Sequence, residues 1–460
     1  MRRSILCALS FFLTLASGPA ALAATFYVDR AHPQASDANP GAEALPWLTI
    51  QHAADTLAAG DTVYVKAGTY PEQVTVTRSG APGQEIVFAA APGDTVTVDG
   101  ASLTLNEWDG LFQLVGASYV RVSGFHVTNT GPWPTNGGIQ VGPGDHVTIE
   151  GNHTSYTASS GILIWDSSDI LVDGNEVEQP MTLGASSRNE CITVGRTTRF
   201  EVRNNHVHDN PNGRGEGICL KDGASYGSAH HNQVHDLPAV GIYVDAEAEH
   251  THDIDVYSNT IHDVAGNGIV VASEQGGLLE HIRVFNNVST HNRFVGINVS
   301  DCCIASHPMD DIQIVNNSLY GNGLTDWGGG IGNANPQATG LVIRNNALAG
   351  NLSFEITFEL VDPSGSTLDH NLVDEWHGYP GELCGADCQV GDPLWVDPAA
   401  GDLHLRQGSP AVDHGSAGKV PGSHIRTVPG PALRRCPADD PRQCQQRWTW
   451  YPGGTGDRAP

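Results

Sequence analysis

The chain has 460 residues, with 51 acidic against 23 basic side chains and a formal charge of −28. That balance excludes nucleic acid as a partner and repels anionic polymers, unless cations or a local basic patch reverse the field. Only three lysines occur, Lys66, Lys221 and Lys419, so the place of each asks for a reason.

From the N-terminus, MRR, the apolar run ILCALSFFLTLA and the small residues Ala21–Ala23 read as a cleaved signal peptide, residues 1–23. The run is too short to span a bilayer, and no later stretch is longer. The rest is expected to be secreted or periplasmic, without a membrane span, and monomeric. Loss of the leader removes Cys7 and leaves eight cysteines in an oxidising compartment. Cys384 with Cys388, and Cys436 with Cys444, suit local disulfides. A bond between the adjacent Cys302 and Cys303 would be strained. Cys191 and Cys219 lie one repeat apart and suit a bridge between neighbouring coils. No spacing matches a zinc motif.

Residues 24–100 are expected to form an N-terminal cap and the first coils. TFYVD, SDANPG and PWLTIQHAADTLAAGDTVYVKAGTY read in turn as strand, loop, then a short amphipathic helix and another strand. Thr49 is the expected N-cap and Gly60 the helix stop.

Residues 101–375 are repetitive. Asparagines recur in one context at Asn152, Asn175, Asn205, Asn232, Asn259, Asn287, Asn317, Asn346 and Asn371, with gaps of 23, 30, 27, 27, 28, 30, 29 and 25 residues. The gaps hold short strands of one type, GILIWD, CITVGR, GICLKD, GIYVDA, GIVVAS, GINVSD and GGIGNA. Their aliphatic residues alternate with variable ones, the period of a strand buried on one face. Strands and turns at this period, with no helices between, predict a solenoid of about 10–12 coils. The fold class is therefore all-β, a right-handed parallel β-helix, with the asparagines stacked as an internal ladder. Residues 376–460 are expected to be a C-terminal cap and tail, DPLWVDPAAGDLHLRQGSPAVDHG marking the last ordered coil.

Aligning the strands on their first inward isoleucine sorts the outward residues into columns. The first reads Leu163, Thr193, Cys219, Tyr243, Val270, Asn298, and the second Trp165, Gly195, Lys221, Asp245, Ala272, Ser300. Glu190 and Glu216 precede the strands on adjacent coils. Polar groups thus gather on three consecutive coils: Asn189, Glu190 and Arg196; Glu216, Lys221 and Asp222; Tyr243, Asp245 and Glu247. Arg188, Arg199, Arg203 and Arg214 enrich the surrounding sequence in positive charge. Solvated ion pairs, with Lys221 against Asp245 or Glu216, would explain such a face without function.

The end signatures and the Asn-rich coils resemble secreted bacterial right-handed β-helix proteins of the polysaccharide-lyase kind. Within them, RNECITVGR and GEGICLKDG are similar to paired strands of chondroitinase B and the family-six β-helix alginate lyases. That resemblance implies a uronate-containing polysaccharide as substrate and a calcium ion held by Asn189, Glu216 and Glu190. It implies Lys221 as the base of a β-elimination. Their place in the outward patch makes Arg196, Asp222 and Trp165 the candidates to bind substrate. Asp245 stands where the family has an arginine. Position alone makes Tyr243 the candidate acid for the leaving oxygen.

Two other readings stay open. A glycoside hydrolase would use Glu216 with Asp245 or Asp222 as its carboxylate pair. A non-catalytic glycan-binding scaffold would use Trp165, Trp133, Tyr156 and Tyr243 for stacking. His208, His235 and His262, each followed by an aspartate, form one further column. It reads either as a turn ladder or as a metal site, and repeat logic favours the ladder.

Overall fold

The computed structural model describes residues 23–212, 215–300, 307–325 and 327–412. The expectations for the leader, Arg214, Cys302, Cys303, Cys436, Cys444 and the tail lie outside the described residues.

The alternating strands stack as predicted. Each coil contributes to three parallel sheets, of 14, 11 and 13 strands. In the 11-stranded sheet, Ile162–Trp165, Ile192–Gly195, Ile218–Lys221, Ile242–Asp245, Ile269–Ala272 and Ile297–Ser300 pair in that order. Ile192, Val194, Ile218, Leu220, Ile242 and Val244 all face inward with no exposed surface. Burying each such side chain contributes about 1.5–3 kcal/mol.

The asparagine ladder turns the corner between the 14-stranded and 13-stranded sheets. The backbone N–H and side-chain Nδ2 of each ladder residue donate to Oδ1 of the next. From Asn152 to Asn371 the side-chain contacts stay between 2.9 and 3.1 Å. Nδ2 also donates to a backbone carbonyl, as Asn259 does to Ala229 O at 3.0 Å. The residue before each ladder member has a positive φ, from Gly151 at 58° to His370 at 55°. The column is architecture, because it satisfies buried polar groups at a bend where no sheet can.

At the N-terminal end, helix α1 (Ile50–Thr56) covers the solenoid with Ile50, Ala53 and Ala54. Thr49 caps it as expected, its hydroxyl accepting from His52 N at 3.2 Å. Glu72 accepts two further free N–H groups, from Ile50 and Gln51. Gly60 is not the stop. The helix ends at Thr56 with Leu57 as its cap, and Gly60, at φ 91°, serves the turn into the strand Thr62–Val65.

The C-terminal segment differs from expectation. DPLWVDPAAGDLHL closes an antiparallel hairpin, Trp395–Asp397 with Asp402–Leu405, and adds no further coil. Pro398 opens a single 3₁₀ turn and Gly401, at φ 78°, closes it, which reverses the chain. Trp395, Leu403 and Leu405 then pack on Val288, Ala347, Ala349 and Leu372, flanking the 13-stranded sheet.

Cys384 and Cys388 form the local disulfide, with Cα atoms 5.6 Å apart. Cys191 and Cys219 do not bridge; both are buried thiols. Cys219 pairs in register with Thr193, two residues beyond Cys191, so the two sulfurs occupy different columns.

Candidate functional site

The outward columns predicted from sequence are those of the structure. Thr193 pairs with Cys219, Cys219 with Tyr243 and Tyr243 with Val270. In the second column Trp165 pairs with Gly195, Gly195 with Lys221 and Asp245 with Ala272. Between Lys221 and Asp245 the recorded pairing stops one residue short, at Leu220 and Val244. There the chain bends through Asp222, at φ 51°.

Lys221 does not pair with Asp245 or Glu216. Its ammonium lies 3.0 Å from Glu190 Oε1, and the two side chains are only 16% and 11% exposed. Glu190 Oε2 accepts from Thr193 Oγ1 at 2.9 Å. Burial opposes the charge on Lys221, but the Glu190 carboxylate outweighs it and holds the ammonium well above the usual lysine range. Cys219 and Asp222 act in the same direction.

Beside Lys221 is a crowd of carboxyls. Burial pushes Asp245 up to about 8, with the charges of Glu274 and Glu247 adding to it. Burial, and then contact with Glu247, pushes Asp222 up to about 7. Asp245 Oδ1 accepts from the Glu247 backbone N–H at 2.8 Å. Asp222, Asp245 and Glu247 are hard oxygen donors drawn from two adjacent coils. Burial and the nearby Glu247 raise the first two, and hard oxygen donors of this kind are those that calcium takes.

The other expected residues fall around this centre. Tyr243 is 8% exposed, and its hydroxyl donates to Glu274 at 2.5 Å. Burial, and then the charge on Asp245, push its pKa up strongly, so the phenol holds its proton. Glu216 is half-buried, and its charge helps to raise both the Cys191 and Cys219 thiols. Asn189 turns its amide to Ser159 Oγ at 3.2 Å, so it points towards the preceding coil. Arg196 reaches Glu249 at 3.4 Å and lies 5.9 Å from the Trp165 ring. The Trp165 ring lies over Gly195, where a Cβ would collide with it, one strand from Lys221.

Three sequence expectations change. Arg199 and Arg203 do not enrich the patch: they lie on the 14-stranded sheet, paired with Asp169 and with Asp173 and Glu201. Trp133 and Tyr156 are exposed at 44% and 46%, but neither belongs to the Lys221 strand columns. Glu274 and Glu249 were missed, because both sit in turns beyond the strand ends, where column counting stops.

A groove of about 830 Å³ runs over the outer face of the 14-stranded sheet, lined by residues such as Arg199, Phe200, Tyr226 and Arg283. Its arginines Arg199 and Arg283 are already matched by Asp169 and Asp255. The displaced carboxyls are on the other sheet, and perturbed titration is the better guide to chemistry.

The fold and site together define a parallel β-solenoid with a titratable patch on one outer sheet. Residues 26–330 match the family described as the Pel9A-like, right-handed β-helix region, and the chain belongs to that family. The protein YwoF of Bacillus subtilis is 26% identical over 432 residues, 82% of this chain and 91% of its own length. A segment of 87 residues, 18% of this chain and 20% of its relative, is 38% identical to pectate lyase PEL9 of Emericella nidulans. Among solved structures, pectate lyase Pel9A superposes with a TM-score of 0.55 at 16% identity, covering 88% of this chain and 96% of its own. A complex of XylC with xylose does so at 0.54 and 13% identity, covering 81% and 87%. Among the described residues, no helix is long and apolar enough to cross a membrane.

Proposed function

We propose that this chain is a secreted, calcium-assisted polysaccharide lyase that cleaves a pectate-class, uronate-containing glycan by β-elimination at Lys221. One observation carries the reading. A scarce lysine is held between a buried carboxylate, Glu190, and the crowded carboxyls Asp222, Asp245 and Glu247. The segment shared with a protein named pectate lyase supports the substrate class.

Elimination begins with removal of the proton on the ring carbon beside the uronate carboxylate. Lys221 Nζ, as the neutral amine left once its own ammonium proton has passed to solvent, takes that proton, the electron pair forms the ring double bond, and the bond to the glycosidic oxygen breaks. Tyr243, its O–H turned from Glu274 to the leaving oxygen, donates its proton there. Asp222, Asp245 and Glu247 would hold a calcium ion, which would supply positive charge to offset the substrate carboxylate. In this reading Glu190 and its partner Thr193 position the Lys221 side chain, while Trp165, beside Gly195, offers a sugar ring a stacking surface. Asn189 and Glu216 are not required as ligands.

Product analysis tests the reaction class. Incubated with polygalacturonate and calcium, the protein should release oligomers carrying an unsaturated uronate end, seen by near-ultraviolet absorbance and by mass. Reducing ends of saturated sugar alone would replace elimination with hydrolysis.

A further inference from the structure

A second cluster lies on the outer face of the 13-stranded sheet, remote in the fold from Lys221. His206 and His208 are two residues apart on the strand His206–His208 and so project from the same face. One coil earlier, Glu176 pairs in register with His206. One coil later, the strand Gln233–His235 brings His235 alongside His208. The Glu176, His206 and His208 ligand atoms all lie within 4.8 Å of one another. His208 Nε2 is 3.2 Å from Glu176 Oε1, and His206 Nε2 is 2.7 Å from His235 Nε2.

The aspartates of the turn ladder orient these rings. Asp209, at φ 52°, takes His208 Nδ1 at 2.9 Å, and Asp236, at φ 51°, takes His235 Nδ1 at 2.7 Å. A carboxylate on Nδ1 fixes the proton there and leaves Nε2 as a lone pair. With Nδ1 so held, a metal ion could take Nε2 of both rings, that of His208 now against Glu176 Oε1 and that of His235 against His206 Nε2. His262 and Asp263 continue the ladder at 2.8 Å, with the His262 ring stacked 4.7 Å from His235. The ladder reading of the column is thus correct, and its geometry does more than make turns.

We infer that Glu176, His206, His208 and His235 bind one divalent transition-metal ion of the zinc type, with Asp209 and Asp236 as the outer carboxylates. Three imidazoles and one carboxylate suit zinc, whose tetrahedral ligands sit roughly 3.3 Å apart at bonds of about 2.0–2.1 Å. The Glu176–His208 separation already matches, and the His206–His235 pair needs to open by about half an ångström. Calcium would not compete, because it prefers all-oxygen sets. Glu176 is 46% exposed, which gives the ion an entry path. Bound there, the ion would tie together three successive coils.

The test is a titration of the full chain, free of any added histidine tag, with cobalt(II). One equivalent should develop the intense visible bands of tetrahedral cobalt, zinc should displace them, and zinc should raise the thermal unfolding midpoint. Asp236→Asn, at an exposed ladder position that tolerates positive φ, should weaken binding about 10–100-fold. Glu176→Gln, likewise exposed, should also weaken it, and a paired His206→Ala and His208→Ala variant should abolish it. Lys221→Ala should leave it unchanged. Absence of tetrahedral bands and of any zinc-dependent midpoint rise would overturn the assignment. Bands that persist unweakened in both Glu176→Gln and Asp236→Asn would overturn it too, whether or not the double variant folds.

Discussion

Lys221 Nζ and Glu190 Oε1 meet at 3.0 Å across two adjacent coils, with both side chains largely buried. The pair keeps the lysine protonated, which is the wrong state for a base, so Glu190 sets how much work a cation must do. In Glu190→Gln, burial would no longer be offset and the Lys221 ammonium would become more acidic. The ascending limb of the pH–rate profile should then move to lower pH. Removing one partner of a mostly buried pair should also cost up to about 3 kcal/mol of stability, read by denaturant unfolding. A limb that stays in place would show that Glu190 does not tune the base.

Calcium affinity should rise with pH. Asp222 and Asp245 titrate near 7 and 8, so both are largely protonated at pH 6 and ionised at pH 9. A cation binds the ionised forms, so binding must displace protons across this window. Calorimetry in buffers of different ionisation enthalpy should report proton release near neutral pH and tighter binding above it. Affinity that is flat from pH 6 to pH 9 would remove these two carboxyls from the cation site.

Trp165 depends on Gly195. Trp165→Ala should raise KM by roughly 3–10-fold, the worth of one aromatic contact, with little change in kcat. Gly195→Val should do the same by pushing the ring off its seat, while circular dichroism stays that of the parent. A change in kcat alone would argue against a stacking role.

The asparagine column should govern stability and not activity. Asn259 accepts from the backbone and side-chain amides of Asn232, and donates to Ala229 O and Asn287 Oδ1. Asn259→Leu strands several buried groups at about 1–3 kcal/mol each. Denaturant unfolding should show a loss of several kcal/mol, and a loss below about 0.5 kcal/mol would deny the ladder its structural role.

Much of this was legible in the chain because a solenoid repeats. One isoleucine per coil fixes the register, and register puts Gly195, Lys221, Asp245 and Ala272 on one sheet in stacking order. What repeats do not encode is side-chain reach. Glu190, Glu216 and Asp245 are all neighbours of Lys221 by column, and only the bend at Asp222 and the hydroxyl of Thr193 favour Glu190. Glu274 was hidden because it follows a strand end, where turns vary in length. Arg199 and Arg203 misled because two residues, Arg196 and Thr197, suffice to turn a corner onto another sheet. The final hairpin reads as a coil because its strands share the composition of the repeats, while the short turn from Pro398 to Gly401 carries the reversal.

The most direct test of the account is the rate of near-ultraviolet absorbance increase on polygalacturonate with calcium, compared between the parent protein and Lys221→Ala. The rate should depend on calcium, vanish with a chelator and fall about 10²–10⁴-fold in the variant, with unfolding and circular dichroism preserved. A folded Lys221→Ala protein that retains the parent rate would contradict it.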